Sequence, residues 1–221
     1  KNTQLNEGIA FLFETQLLER EQERQHNQPE AELTTRFGKL SKCFEDAFRD
    51  TDDIDLSWLL HACRLFAIDM VAVGEARSAQ DMKQNIVKVE RFFNTRPDLS
   101  SMSQVLEAEK ATGVHKYDSD QQVHLGENTC AMGLLWIRRS IHFQCTMFRY
   151  LLDGREASFA VKSSYEVCLK PYHSWALKKA YLIALSAAPG TNESWMARLG
   201  GYDESEHEKA KDEATRRDLR N

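Results

Sequence analysis

The stretch LSWLLHACRLFAIDMVAV, residues 56–73, is apolar on nearly every face of a helix and follows the acids of TDDID, residues 51–55. Acids just ahead of an apolar run supply N-cap acceptors, so the segment reads as a buried central helix. The reading extends outward from it. Upstream, Phe37, Leu40, Phe44 and Phe48 recur at steps of three and four between Leu33 and Phe48, an amphipathic helix. Downstream, a helix over 79–94 capped by Ser78 ends at the Arg96-Pro97 step. Another runs from Leu99 to Lys110, and residues 112–128 lack periodicity and read as a loop. Residues 129–153 are the longest unbroken helical pattern, stopped at Asp153-Gly154. Two more runs, 157–170 and 173–188, are separated by Pro171, and a short helix over 192–199 follows Ala188-Pro189-Gly190. No β-type alternation of useful length occurs. The chain is therefore all-α, with seven or eight helices in one domain from about 33 to 200.

Composition agrees. The chain has 221 residues, room for one domain with a substantial core or at most two small ones. Only 10 glycines and 4 prolines punctuate it, which favours long helices. The net charge of −5 argues against nonspecific nucleic-acid binding. No run of 18 apolar residues exists to span a membrane. Residues 1–32 join IAFLFETQLL to the charged EREQERQHNQPE and read as a helix fraying into a polar extension or linker. Residues 201–221 read as a charged tail, nearly core-free. The cysteines at 43, 63, 130, 145 and 168 show no CxxC or metal-ligand spacing and read as reduced core cysteines of a cytosolic protein.

The candidate site begins in QDMKQNIVKVERFF, residues 80–93. On a helix, Asp81, Asn85 and Lys88 stand at i, i+4 and i+7, within about 60° of one another. Ile86, Val89 and Phe93 run beside them. The trio is either a solvated face with a helical salt bridge or a head-group site at the mouth of an apolar pocket. Further on, Met132, Trp136, Arg139, Phe143, Met147 and Tyr150 share a face. Trp136 is then core, or a flat platform for the C–H face of a sugar. Of Arg138 and Arg139, one is expected in solvent and the other at the polar rim. His173 follows the Pro171 kink as a structural residue or a hydrogen-bonding one, and Trp175 is core or a surface anchor beside Lys178 and Lys179. HExxH, GxSxG, GxGxxG and P-loop motifs are missing, and Glu204–His207 is an isolated ExxH. No enzyme, metal site or cofactor is read from this chain.

Taken in order, Asp81-xxx-Asn85-xx-Lys88, GLLWIRR at 133–139, LKPYHSW at 169–175 and ALSAAP at 184–189 resemble the glycolipid transfer protein family. The resemblance covers about residues 35–200. It implies a two-layer helical sandwich enclosing an apolar pocket for the chains of a sphingolipid. It further implies that Asp81 takes the ceramide amide N–H and a sugar hydroxyl, and that Asn85 and Lys88 bind the first sugar. Trp136 would stack beneath that sugar, His173 would donate to the ceramide carbonyl, and Trp175 would dock on the bilayer. A ceramide-1-phosphate branch of the family resembles this chain less, carrying lysine at the Asn85 position and arginine at the Trp136 position. The expectation is a cytoplasmic monomer, peripherally membrane-associated, that transfers or senses glycosylceramides without catalysis. The alternatives are a ceramide-1-phosphate or sulfated-lipid carrier, and a non-transferring interaction module. Family members end in a further helix that closes part of the pocket, and residues 201–221 are read as too polar to supply it.

Overall fold

The computed structural model describes residues 36–48, 53–120, 122–185, 191–200 and 209–220. The expectations for residues 1–32 lie outside these. Nine α-helices occur among the described residues: α1 (Arg36–Asp46), α2 (Leu56–Ala72), α3 (Ala76–Phe93), α4 (Met102–Ala111), α5 (Cys130–Leu152), α6 (Ala157–Cys168), α7 (Trp175–Leu185), α8 (Asn192–Gly200) and α9 (Lys209–Asp218). A two-residue antiparallel ribbon, Lys116–Tyr117 with Val123–His124, decorates the loop before α5. The helices form the expected two-layer sandwich, in which α2 packs on α1 and α3, and α5 on α3, α4 and α6.

Helix α2 is central, as its composition demands. Leu56, Leu60, Cys63, Phe66, Ala67 and Met70 are buried, although Ile68 and Val71 reach the surface. Asp55 is its N-cap and accepts from the Trp58 amide at 3.1 Å. Asp53 serves a different helix. It accepts from the Ser103 amide at 3.1 Å, in the first turn of α4, and the Ser103 and Ser101 hydroxyls lower its pKa to about 2. An Arg64–Glu90 ion pair ties α2 to α3.

One start differs from the periodicity. Helix α3 begins at Ala76 rather than after Ser78, because the Ser78 hydroxyl donates to Glu75 Oε2 at 2.9 Å and leaves no cap. Gly74, at φ +90°, turns the chain from α2 into α3 within a few residues, a conformation side chains rarely adopt. The C-terminal segment also differs. Far from core-free, α9 packs on α8 and α1 and buries Ala214, Thr215 and Asp218. These short side chains form an i, i+1, i+4 stripe that lets a mostly charged helix approach closely, with Leu219 beside them against the core.

The longest helix, α5, carries a double cap. Thr129 accepts from the Met132 amide at 3.2 Å, and the buried Glu109 carboxylate accepts from the Cys130 and Ala131 amides at 2.6 and 2.8 Å. A carboxylate on the free amides at the positive end of a 23-residue helix is strongly held. His115 closes the cluster, 3.5 Å from Glu109. Glu109→Ala is expected to cost about 2 kcal/mol, read as a lowered melting temperature. Four of the five cysteines are buried and all are free; Cys145 is the exposed one.

Candidate functional site

Asp81, Asn85 and Lys88 share one face of α3 and line a cavity, with Asn85 buried, Lys88 half-buried and Asp81 exposed at the mouth. The three are joined through the amide. Asn85 Nδ2 donates to the Asp81 carbonyl at 3.0 Å and lies 3.4 Å from its carboxylate, while Lys88 Nζ donates to Asn85 Oδ1 at 3.0 Å. Asn85 thus stands between acid and amine, in place of the direct helical salt bridge that spacing alone allowed. Burial raises the Asp81 pKa above the usual carboxylate range, and the charges of Lys88 and His173 pull it back.

Trp136 comes from the second turn of α5, and Gly133 one turn earlier brings that helix against α3. A Cβ on Gly133 would lie 2.7 Å from the Asn85 carbonyl oxygen and 2.9 Å from Val89. No larger residue allows this approach. Arg139 lies over two rings, its guanidinium carbon 4.8 Å from the Trp136 centroid and 3.6 Å from that of Tyr172. Arg138 is exposed, as expected of one of the pair, while Arg139 is half-buried against these rings and does not line the cavity.

Pro171 sits in a single 3₁₀ turn, Lys170–Tyr172, and His173 leaves it in extended backbone. That break sets the imidazole between α5 and α7, its ring centroid 5.8 Å from Trp136. Sequence reasoning missed its supports. Tyr165 Oη lies 3.3 Å from His173 Nδ1, and Tyr165 stacks on Tyr181 at 4.3 Å and 8°. Burial lowers the His173 pKa; Asp81 opposes, and Lys178 and Arg139 reinforce. A neutral ring that accepts the Tyr165 hydroxyl at Nδ1 carries its proton on Nε2. Burial raises the Tyr181 pKa as well.

All five side chains, Asp81, Asn85, Lys88, Trp136 and His173, line one cavity of about 360 Å³. Phe66, Phe143, Met147, Val161, Leu169 and Leu177 form its apolar wall, and Glu75, Arg77 and Ser78 stand at the N-terminal end of α3 beside it. Trp175 does not line it. That ring is 71% exposed, with Lys179 Nζ 4.0 Å from its centroid. Among the described residues no His, Cys, Asp or Glu cluster is placed to hold a metal, and no helix is long and apolar enough to cross a membrane.

These features define a class: all-helical sandwich proteins with a polar-mouthed apolar cavity. The glycolipid transfer protein (GLTP) family model matches residues 54–201, and the chain belongs to that family. Glycolipid transfer protein 2 of Arabidopsis thaliana is 29% identical over 159 residues, covering 69% of this chain and 66% of its own length. The match thus spans just under two thirds of that relative. Among solved structures, the GLTP-fold of FAPP2, which selects simple glycosphingolipids, superposes with a TM-score of 0.67 at 23% identity, covering 84% of this chain and 86% of that one. The apo mouse ceramide-1-phosphate transfer protein gives 0.65 at 16% identity, covering 83% and 88%. Both likenesses concern the fold.

Proposed function

We propose that this protein carries a sphingolipid, a glycosylceramide, between membranes without chemical conversion. The observation that carries the reading is the single cavity in which Asp81, Asn85, Lys88, Trp136 and His173 rim an apolar wall. A ceramide amide is costly to bury without partners. Asp81 supplies the acceptor for its N–H, and His173 Nε2–H the donor for its carbonyl. Asn85 and Lys88 take hydroxyls of the first sugar, and Trp136, held by Arg139, offers its face to the ring. Moving two hydrocarbon chains through water costs on the order of 25 kcal/mol, at ~0.8 kcal/mol per CH₂ for about 30 methylenes. A walled cavity lowers that barrier and breaks no bond.

The domain is taken to run from about residue 33 through α9, which packs on α8 and α1, and to act as a cytoplasmic monomer. Trp175 and Ile183 expose apolar surface on one face of α7 together with Lys179. An amphipathic ring with a cation beside it suits the interface of a bilayer, so this face is assigned to transient docking.

Asn85 and Trp136 stand where a phosphate head group would want cations, which favours a sugar. Arg77 at the same mouth is the observation that favours an anionic head group, phosphate or sulfate. Vesicle-to-vesicle transfer decides between them, with labelled glucosyl- or galactosylceramide against ceramide-1-phosphate. The glycosylceramides are expected to move faster, and Trp136→Ala to slow them about ten-fold through loss of a ~1.4 kcal/mol stacking contact. Transfer of the phosphate lipid alone overturns the head-group assignment. A folded protein that takes up no lipid, and shows none by native mass spectrometry, is an interaction module instead.

A further inference from the structure

Trp136, Ser140 and Gln144 follow one another at four-residue steps on α5, and all three line the cavity. A Trp and a Ser near the mouth suit a sugar. Gln144 is different. It is only 3% exposed, between Phe143 and Met147, which are both buried, and its carboxamide oxygen has no hydrogen-bond partner. Eight residues on from Trp136, its backbone lies about 12 Å further along the helix, past the level of the head group. Asn85 is engaged with Asp81 and Lys88, and His173 with Tyr165. An apolar side chain of similar size would complete this wall at no cost in lost hydrogen bonds. Buried amides in folded proteins are nearly always partnered, so this one is matched to a group that arrives with the ligand.

A carboxamide both donates and accepts, and rotation of its terminal torsion turns either end to the cavity. A hydroxyl has the same dual capacity and suits it best. We infer that Gln144 hydrogen-bonds a hydroxyl on the hydrocarbon part of the ligand, and that the protein selects sphingolipids hydroxylated on a chain near the head group. The inference rests on the sphingolipid reading above and deepens it. Beyond the C3 hydroxyl that every ceramide carries, two positions offer an additional one, the α-carbon of the acyl chain and C4 of the sphingoid base. Sites built around a substrate hydroxyl discriminate strongly against the analogue lacking it, because the protein group is then left unpaired.

The test is competitive vesicle-to-vesicle transfer of three galactosylceramides matched in chain length: one plain, one with a 2-hydroxyacyl chain, one with a 4-hydroxylated base. The wild-type protein is expected to favour one or both hydroxylated lipids about ten-fold, and the two arms identify the position read. In Gln144→Leu, and in the unbranched Gln144→Met should the branched side chain repack the wall, the preference is expected to vanish while the plain lipid moves at least as fast. Equal transfer of all three lipids by the wild type overturns the inference, as does a preference that survives in both variants. Transfer of the plain lipid without preference removes this inference alone. Failure to move any of the three removes the glycosylceramide reading on which this inference rests, and the inference with it.

Discussion

Asp81→Val is expected to slow transfer of a glycosylceramide about 100-fold while leaving the melting temperature of the empty protein unchanged or raised. The two halves of the result have one cause. Asp81 is exposed at the cavity mouth, where partial desolvation lifts its pKa against the opposing pull of Lys88 and His173. A carboxyl whose pKa is higher folded than unfolded holds its proton more tightly in the fold. Its contribution to stability is full below the unfolded pKa and is lost as pH rises through the folded one, so at neutral pH the ionised group is a burden. Valine removes that burden. It also removes the acceptor for the ceramide amide and a sugar hydroxyl, two hydrogen bonds to a charged group at ~1.5 kcal/mol or more each. The loss of about 3 kcal/mol converts to the 100-fold effect. Wild-type uptake is expected to decline on acidification sooner than an ordinary exposed aspartate would dictate, because Asp81 takes up its proton earlier. Thermal melts of empty wild type and variant, beside transfer rates, check both halves. A variant that melts well below wild type, or transfers normally, contradicts the assignment.

Much of this arrangement is legible in the sequence because helices announce themselves by period. Phe37, Leu40 and Phe44 mark α1, and the apolar run from Leu56 marks α2 as the centre. Asp81, Asn85 and Lys88 are legible as a group because three residues at i, i+4 and i+7 must share a face. Their meaning is not, since the same spacing builds salt bridges on many surfaces. It takes the Pro171 turn, which sets His173 against Trp136, to make them one side of a cavity. Helix α9 escapes a hydropathy reading because Ala214 and Thr215 pack by being small rather than apolar. Gln144 escapes it too. A glutamine in an amphipathic helix reads as surface, and only the fold shows it buried. Tyr165 belongs with His173 by a contact across the 3₁₀ turn, eight residues apart.

The second large effect belongs to a residue without a side chain. Gly133→Val is expected to lower stability by about 3 kcal/mol, near the upper end of overpacking costs, which for a domain of this size is roughly 6–12 °C in melting temperature. Glycine within a helix ordinarily costs about 1 kcal/mol relative to alanine, so intrinsic propensity favours the substitution. Packing opposes it. The new Cβ would meet the Asn85 carbonyl oxygen at 2.7 Å, Val89 Cγ2 at 2.9 Å and Lys88 Cβ at 3.1 Å. A backbone oxygen and the root of a side chain cannot rotate away, so α5 must withdraw from α3. The withdrawal acts on the site directly, because Asn85 and Lys88 are the residues pushed and Trp136 lies three positions beyond Gly133. Transfer is therefore expected to fall further than stability alone accounts for. Leu151→Ala is the comparison, a buried truncation near the far end of α5 that costs about 2–5 kcal/mol. At a temperature where both variants remain folded, Leu151→Ala is expected to keep the preference of glycosylceramide over ceramide-1-phosphate, and Gly133→Val to lose it. Equal preference in the two variants would show that the α3–α5 contact holds the fold without setting the geometry of the cavity mouth.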